Sequence, residues 1–196
     1  LALIPCAVVY GMARGYGQKK WMSLSALERV GFVLFFLFWF FFFPNTAYLF
    51  TLVRHLLDHC ADYGIERVCR EESWMVMFFF LYGLIGLPTF LYALKKMSAL
   101  LGHVFHPKVR VYFPIIMIPL TGLGVLFGLI DRLNSWDIVQ KPWTIFQIGL
   151  SYLQDPSKFL NFVVYAIMLV LIYYGMGFLL RNIFHDDSGA CHHSGA

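Results

Sequence analysis

Four long stretches without a single charge constrain this chain more than any other feature: Val30–Val53, Ser73–Leu94, Val111–Ile130 and Phe159–Leu180. Charge brackets each of them, as Arg29 and Arg54 do for the first and Arg110 and Asp131 for the third. A helix crosses the hydrocarbon core with about 20 mostly apolar residues, and inside lipid its backbone must be satisfied internally. The four stretches therefore predict four membrane-spanning helices. Composition agrees, with 60% of the 196 residues hydrophobic and 13% charged, where a soluble domain carries about 25% charged residues. So little charge cannot cover a water-facing surface, which excludes a soluble enzyme and a nucleic-acid-binding protein.

Shorter segments refine that frame. Leu1–Ala13 is apolar and uncharged but too short to cross. It reads as the tail of a fifth, truncated span; a trimmed signal peptide is the rival reading, without a basic leader or a small-residue cleavage site to support it. Pro142–Gln154 carries Trp143, Phe146 and Tyr152 and predicts a short interfacial helix with its aromatics at headgroup depth. The expected fold is all-α: an integral membrane bundle of about five transmembrane helices plus that interfacial helix. It forms one domain over residues 1–184, followed by a polar, flexible tail over 185–196.

Basic residues set an expected orientation. The segments Arg14–Arg29 and Lys95–Arg110 carry four Lys or Arg each; with Arg181 they give nine, against six in Arg54–Glu72 and Asp131–Lys158 together. The positive-inside rule places the richer side in the cytoplasm and the other two segments on the outer face of a bacterial inner membrane.

Candidate chemistry gathers at that outer rim. Pro44 inside the first stretch predicts a kink near Phe40–Phe43, because proline lacks an N–H and clashes one turn back. Asn45, Thr46, Tyr48 and Thr51 follow. They either re-satisfy the freed backbone or line a polar notch. Beyond them, His55 and His59 stand one turn apart with Asp58 between them, a spacing that could hold a divalent metal given one more ligand, or an acid–base pair; a solvated juxtamembrane helix is the plainer account. On the second outer segment, Asp131-Arg132-Leu133-Asn134-Ser135-Trp136-Asp137 predicts either a hydrogen-bonded turn or a set of groups facing Asn45 across the bundle. Cys60 and Cys69 share the first outer loop, where an oxidising exterior permits a disulfide. Gly122, Gly124 and Gly128 predict close helix packing. The midspans lack histidine and ionisable groups, which argues against a haem site and a proton or ion path.

The run Phe41-Phe42-Phe43-Pro44-Asn45-Thr46-Ala47-Tyr48-Leu49-Phe50-Thr51 with His55 resembles an uncharacterised bacterial membrane family with a PN-x-x-Y-x-x-T-D-x-x-H signature. Gly128 with Arg132-Leu133-Asn134-Ser135-Trp136-Asp137 resembles that family's G-x-x-x-R-x-N-S-W-D segment. The resemblance, to domain-of-unknown-function family 1361, covers most of the chain from Val30 to Phe146. It implies a polytopic membrane protein and supports pairing the two motifs, but brings no activity with it. Two signature positions differ: Leu52 stands where the family has Asp, and Leu129 where an Arg is expected. Asp58 and Asp131 are the residues that would stand in.

Two functions are expected from these observations. The first is an accessory or scaffolding subunit that contacts membrane lipids and other integral membrane subunits, with no cofactor and no catalytic residues. The second is a membrane-embedded enzyme or small-solute carrier whose outer-face site combines Asn45, Tyr48, His55, Asp58, Arg132, Asn134 and Asp137. The only metal set to consider is His55, Asp58 and His59.

Overall fold

The computed structural model describes residues 1–52, 61–63, 66–68, 73–133 and 137–186. Eight α-helices dominate these residues: α1 (Ile4–Tyr16), α2 (Ala26–Phe42), α3 (Pro44–Thr51), α4 (Ser73–Val104), α5 (Val109–Leu129), α6 (Asp137–Gln140), α7 (Pro142–Gln154) and α8 (Pro156–Asp186). Four segments are long and apolar enough to cross a membrane: Ala26–Leu49, Val76–Val104, Val109–Leu129 and Pro156–Phe178. They match the four charge-free stretches. The expected fifth element is α1, a 13-residue helix that packs on α2 and α4 and buries Val9 and Met12.

Helix ends follow local chemistry. Ser25 caps α2, its hydroxyl accepting from the Glu28 N–H while the Glu28 carboxylate accepts from the Ser25 N–H. Lys19 pairs with Glu28 from the preceding turn. At the same end of the bundle the Lys20 ammonium donates to the His103 carbonyl (2.6 Å), and Trp21 lies on Phe105 with ring centroids 4.9 Å apart. The α1–α2 and α4–α5 connections therefore share one end of the molecule.

Two expectations need correction. Lys95 and Lys96 belong to α4 rather than to a loop, because Met97, Leu100, Leu101 and Val104 recur at helical spacing and are buried. Only residues 105–108 then join α4 to α5. Within the connection expected to be a plain polar loop, Ala61–Tyr63 pairs antiparallel with Glu66–Val68, a small β-hairpin added to an otherwise helical bundle. Helix α8 runs to Asp186, and residues 187–196 of the expected tail lie outside the described residues. By contrast, the helix expected over Pro142–Gln154 has those bounds.

The core is an aromatic ladder along α2 and into α3. Trp39 is fully buried, stacks on Phe43 at 4.5 Å and meets Phe113 of α5 at 5.9 Å; Phe43 in turn stacks on Phe90 of α4 at 5.5 Å. Each such pair adds about 0.5–1.5 kcal/mol beyond the area it buries. The side of α2 that carries Leu34, Leu37 and Phe38 is exposed, as a lipid-facing surface should be.

The ladder gives a first prediction. Trp39→Ala leaves a cavity and should cost about 3–5 kcal/mol, whereas Leu34→Ala on the exposed side should stay within about 0.5 kcal/mol. Thermal unfolding of the detergent-solubilised variants checks this; equal losses would mean the two sides of α2 are assigned wrongly.

Candidate functional site

Pro44 cannot donate a backbone hydrogen bond, so α2 stops at Phe42 and α3 restarts at Pro44. Two carbonyls beside the break find side-chain donors. The Asn45 amide donates to the Phe42 carbonyl (3.2 Å), and the buried Thr46 hydroxyl donates to the Phe43 carbonyl (2.8 Å). One turn later the Thr51 hydroxyl donates to the Tyr48 carbonyl (2.7 Å). Of the two readings of this polar run, backbone repair accounts for Thr46, Thr51 and one amide bond of Asn45.

The break also shapes the outside of the helix. Pro44 and Tyr48 lie one turn apart on α3, and Gly124 and Gly128 lie one turn apart on α5. These pairs meet. A Cβ added at Gly124 would sit 2.8 and 2.9 Å from the Pro44 ring carbons Cγ and Cβ, and one at Gly128 would sit 3.4 and 3.5 Å from the Tyr48 ring. Only glycine at 124 lets the kinked helix approach this closely, so the expected packing role has a defined partner.

At its end α5 delivers the second motif. Arg132 adopts φ 54°, in the left-handed region, and Leu133 donates its N–H back to the Phe127 carbonyl (3.0 Å). That bond satisfies a helix-end carbonyl at the expense of backbone strain at a non-glycine residue. Asp131, just before the turn, accepts from the Tyr152 hydroxyl (3.0 Å), which ties α7 to the end of α5. Burial, and then the bond to Asp131 and its negative charge, push the Tyr152 hydroxyl well above its ordinary range, so it remains a donor. Phe127 packs on the same ring at 5.7 Å.

These elements enclose a groove of about 1230 Å³. Phe40, Phe41, Leu120 and Leu123 line its apolar part, while Asn45, Tyr48 and Arg132 supply polar groups toward the end where α5 stops. Lining residues on α5 run from Leu120 to Leu129, about 14 Å at helical rise, and the turn that follows adds Ile130, Arg132 and Leu133. The Arg132 side chain is exposed and makes no hydrogen bond or ion pair among the described residues.

Asn45, Tyr48 and Arg132 are thus brought together, as the alternative site requires. Asp137 begins α6 and does not line the groove. His55, Asp58, His59 and Asn134 lie outside the described residues, as do Cys60 and Cys69. Among the described residues no three His, Cys, Asp or Glu side chains cluster around a common point. Sequence reasoning had Pro44 as the cause of the kink but missed its contact with Gly124, and it missed Phe127 and Tyr152 as parts that build the site. The matching one-turn spacing of Pro44–Tyr48 and Gly124–Gly128 was the available signal.

A family model described as Protein of unknown function (DUF1361) matches residues 1–173. The chain belongs to that family. The match to DUF1361 takes in both segments that form the groove and extends beyond Val30–Phe146 at either end. No curated protein and no solved structure matches the chain.

The Pro44 contact predicts an asymmetry between the two glycines. Gly124→Ala forces a rigid ring to move and should cost about 1–3 kcal/mol, even though alanine is the better helix former. Gly128→Ala meets the Tyr48 ring at near-ordinary contact distance and should cost less than about 1 kcal/mol. Unfolding midpoints in mild detergent rank the two; the reverse order would contradict the packing described.

Proposed function

We propose that this DUF1361 protein is a multi-pass membrane protein that binds an amphiphilic molecule bearing an anionic group. The apolar part of the ligand lies along Phe40, Leu120 and Leu123, and Arg132 holds the anion beside Tyr48. The observation that carries the reading is the convergence of both motifs on one half-open groove, apolar along its length and cationic toward its end. Guanidinium groups offer a planar fork that suits carboxylate and phosphate. The accessory-subunit role draws on the aromatic helix faces, and lipid contact alone accounts for those.

The orientation proposed with it sets the groove mouth on the outer face. Support comes from the opposite end, which carries Arg14, Lys19, Lys20, Lys108 and Arg110. Cysteine in place of exposed Lys141, in a background with the native cysteines changed to serine, should react with a membrane-impermeant maleimide on intact cells. Reaction only after permeabilisation would invert the arrangement.

Dodecyl phosphate is a suitable probe for the groove, measured by calorimetry against the protein in dodecyl maltoside. Arg132→Gln should weaken its binding about tenfold, the loss of one charge-assisted contact worth about 1.5 kcal/mol. Equal binding by wild type and variant would remove Arg132 from the site, and failure of wild type to bind the probe would remove the proposed function.

A further inference from the structure

The end of the bundle away from the groove holds basic residues that differ in kind. Lys20 donates to the His103 carbonyl and Lys19 holds Glu28. Lys95 and Arg110 do neither. Both side chains are exposed, and among the described residues neither donates a hydrogen bond nor forms an ion pair.

Their position is unusual for cations. Lys95 lies nine residues before the end of α4 at Val104, inside a segment apolar enough to cross a membrane. At helical rise that is about 14 Å from the helix end. The Lys95 ammonium comes to lie over α8 at Gly177, where an added Cβ would stand only 3.3 Å from Nζ. Arg110 starts from the other side. Its Cβ packs on Gly102 of α4, where an added Cβ would meet it at 2.8 Å. Gly102 lies two turns after Lys95 on the same face of α4. Lys95 and Arg110 are therefore two cations along one face of α4, with Lys95 against α8. Exposed aromatic side chains lie close by along the helices: Tyr92 one turn before Lys95 on α4, and Tyr174 and Phe178 within a turn of Gly177 on α8.

A cation among lipid-facing groups is costly unless it reaches the interface or gains a counter-ion; at a helix centre the cost is about 2.5–3.5 kcal/mol. Glu28 is the acid at this end among the described side chains, and Lys19 already occupies it. The counter-ion must then come from outside the described residues.

We propose that Lys95, over Gly177 of α8, and Arg110, packed two turns along the same face of α4, form an anion site for the phosphate of a phospholipid headgroup. Gly177 leaves the space in which the ammonium sits, and the aromatic shoulders receive the first part of the acyl chains. The shared chemistry is a phosphate group; the aromatic surroundings favour a lipid over free phosphate as its source. This site lies at the opposite end from Arg132, so its failure and that of the groove are separable.

Native mass spectrometry of the full chain in detergent, titrated with phosphatidylglycerol, tests the proposal. One lipid should bind with clear preference over phosphatidylcholine. Lys95→Gln and Arg110→Gln should each weaken it about tenfold. Lys95→Arg should retain binding, which separates loss of charge from loss of fold. Lys108→Gln removes the same charge from the same end and should change affinity less than about twofold. Equal loss in Lys95→Gln and Lys108→Gln would overturn the site in favour of diffuse charge attraction, and no loss in either would also overturn it. A parallel arm adds millimolar inorganic phosphate: retention of the lipid supports the lipid source, whereas displacement by phosphate alone would overturn it.

Discussion

The contact of Pro44 and Tyr48 with Gly124 and Gly128 holds the rest of the arrangement in place. Proline breaks the first long helix, and the segment after the break turns the Pro44 ring toward α5. Glycine at 124 removes the one side-chain atom that would stop it. Because both pairs are spaced by one helical turn, the match at Pro44 fixes the match at Tyr48 as well. Everything polar in the groove is placed by that register: Asn45 follows Pro44 directly, and Arg132 lies one turn past Gly128. The Asp131–Tyr152 bond then fixes where α7 closes over the end of α5.

Polar atoms inside the spans serve the backbone. Thr46, Thr89, Ser98 and Thr121 all donate to carbonyls three or four residues earlier in the chain. Such bonds keep a hydroxyl satisfied in lipid and leave it unavailable to a passing solute. Pro88, Pro114 and Pro119 also lie inside helices, so donors of this kind are spent near places where the regular ladder loses an N–H. The polar groups free for recognition are therefore found at the ends of the bundle. Lys95 and Lys96 are exceptions within a span, and Lys95 lies against Gly177 of α8, which is why its surroundings bear on function.

Much of the fold was legible because lipid leaves few choices. A charge-free run longer than the hydrocarbon core must be a helix, and the four runs are helices. The kink was legible for a similar reason: proline removes a donor wherever it stands. The α4 boundary was not, because charge was read as the edge of the span, whereas burial of Met97, Leu101 and Val104 against neighbouring helices decides where α4 ends. Asn45, Tyr48 and Arg132 were legible as candidate site residues from their types and motifs. Their meeting was not, since it depends on a missing Cβ at Gly124 and on a left-handed backbone at Arg132, and neither leaves a hydropathy signal. Asp137 was drawn into the same set by proximity in sequence, yet it begins α6 and does not line the groove.

The register between α3 and α5 is the central claim, and a photo-crosslink reads it directly. Benzoylphenylalanine in place of Tyr48 keeps an aromatic ring at the contact. On irradiation in membranes it should join the peptide Leu123–Leu133, with adducts centred on Gly128. Adducts confined to lipid, or mapped to α8, would contradict the account.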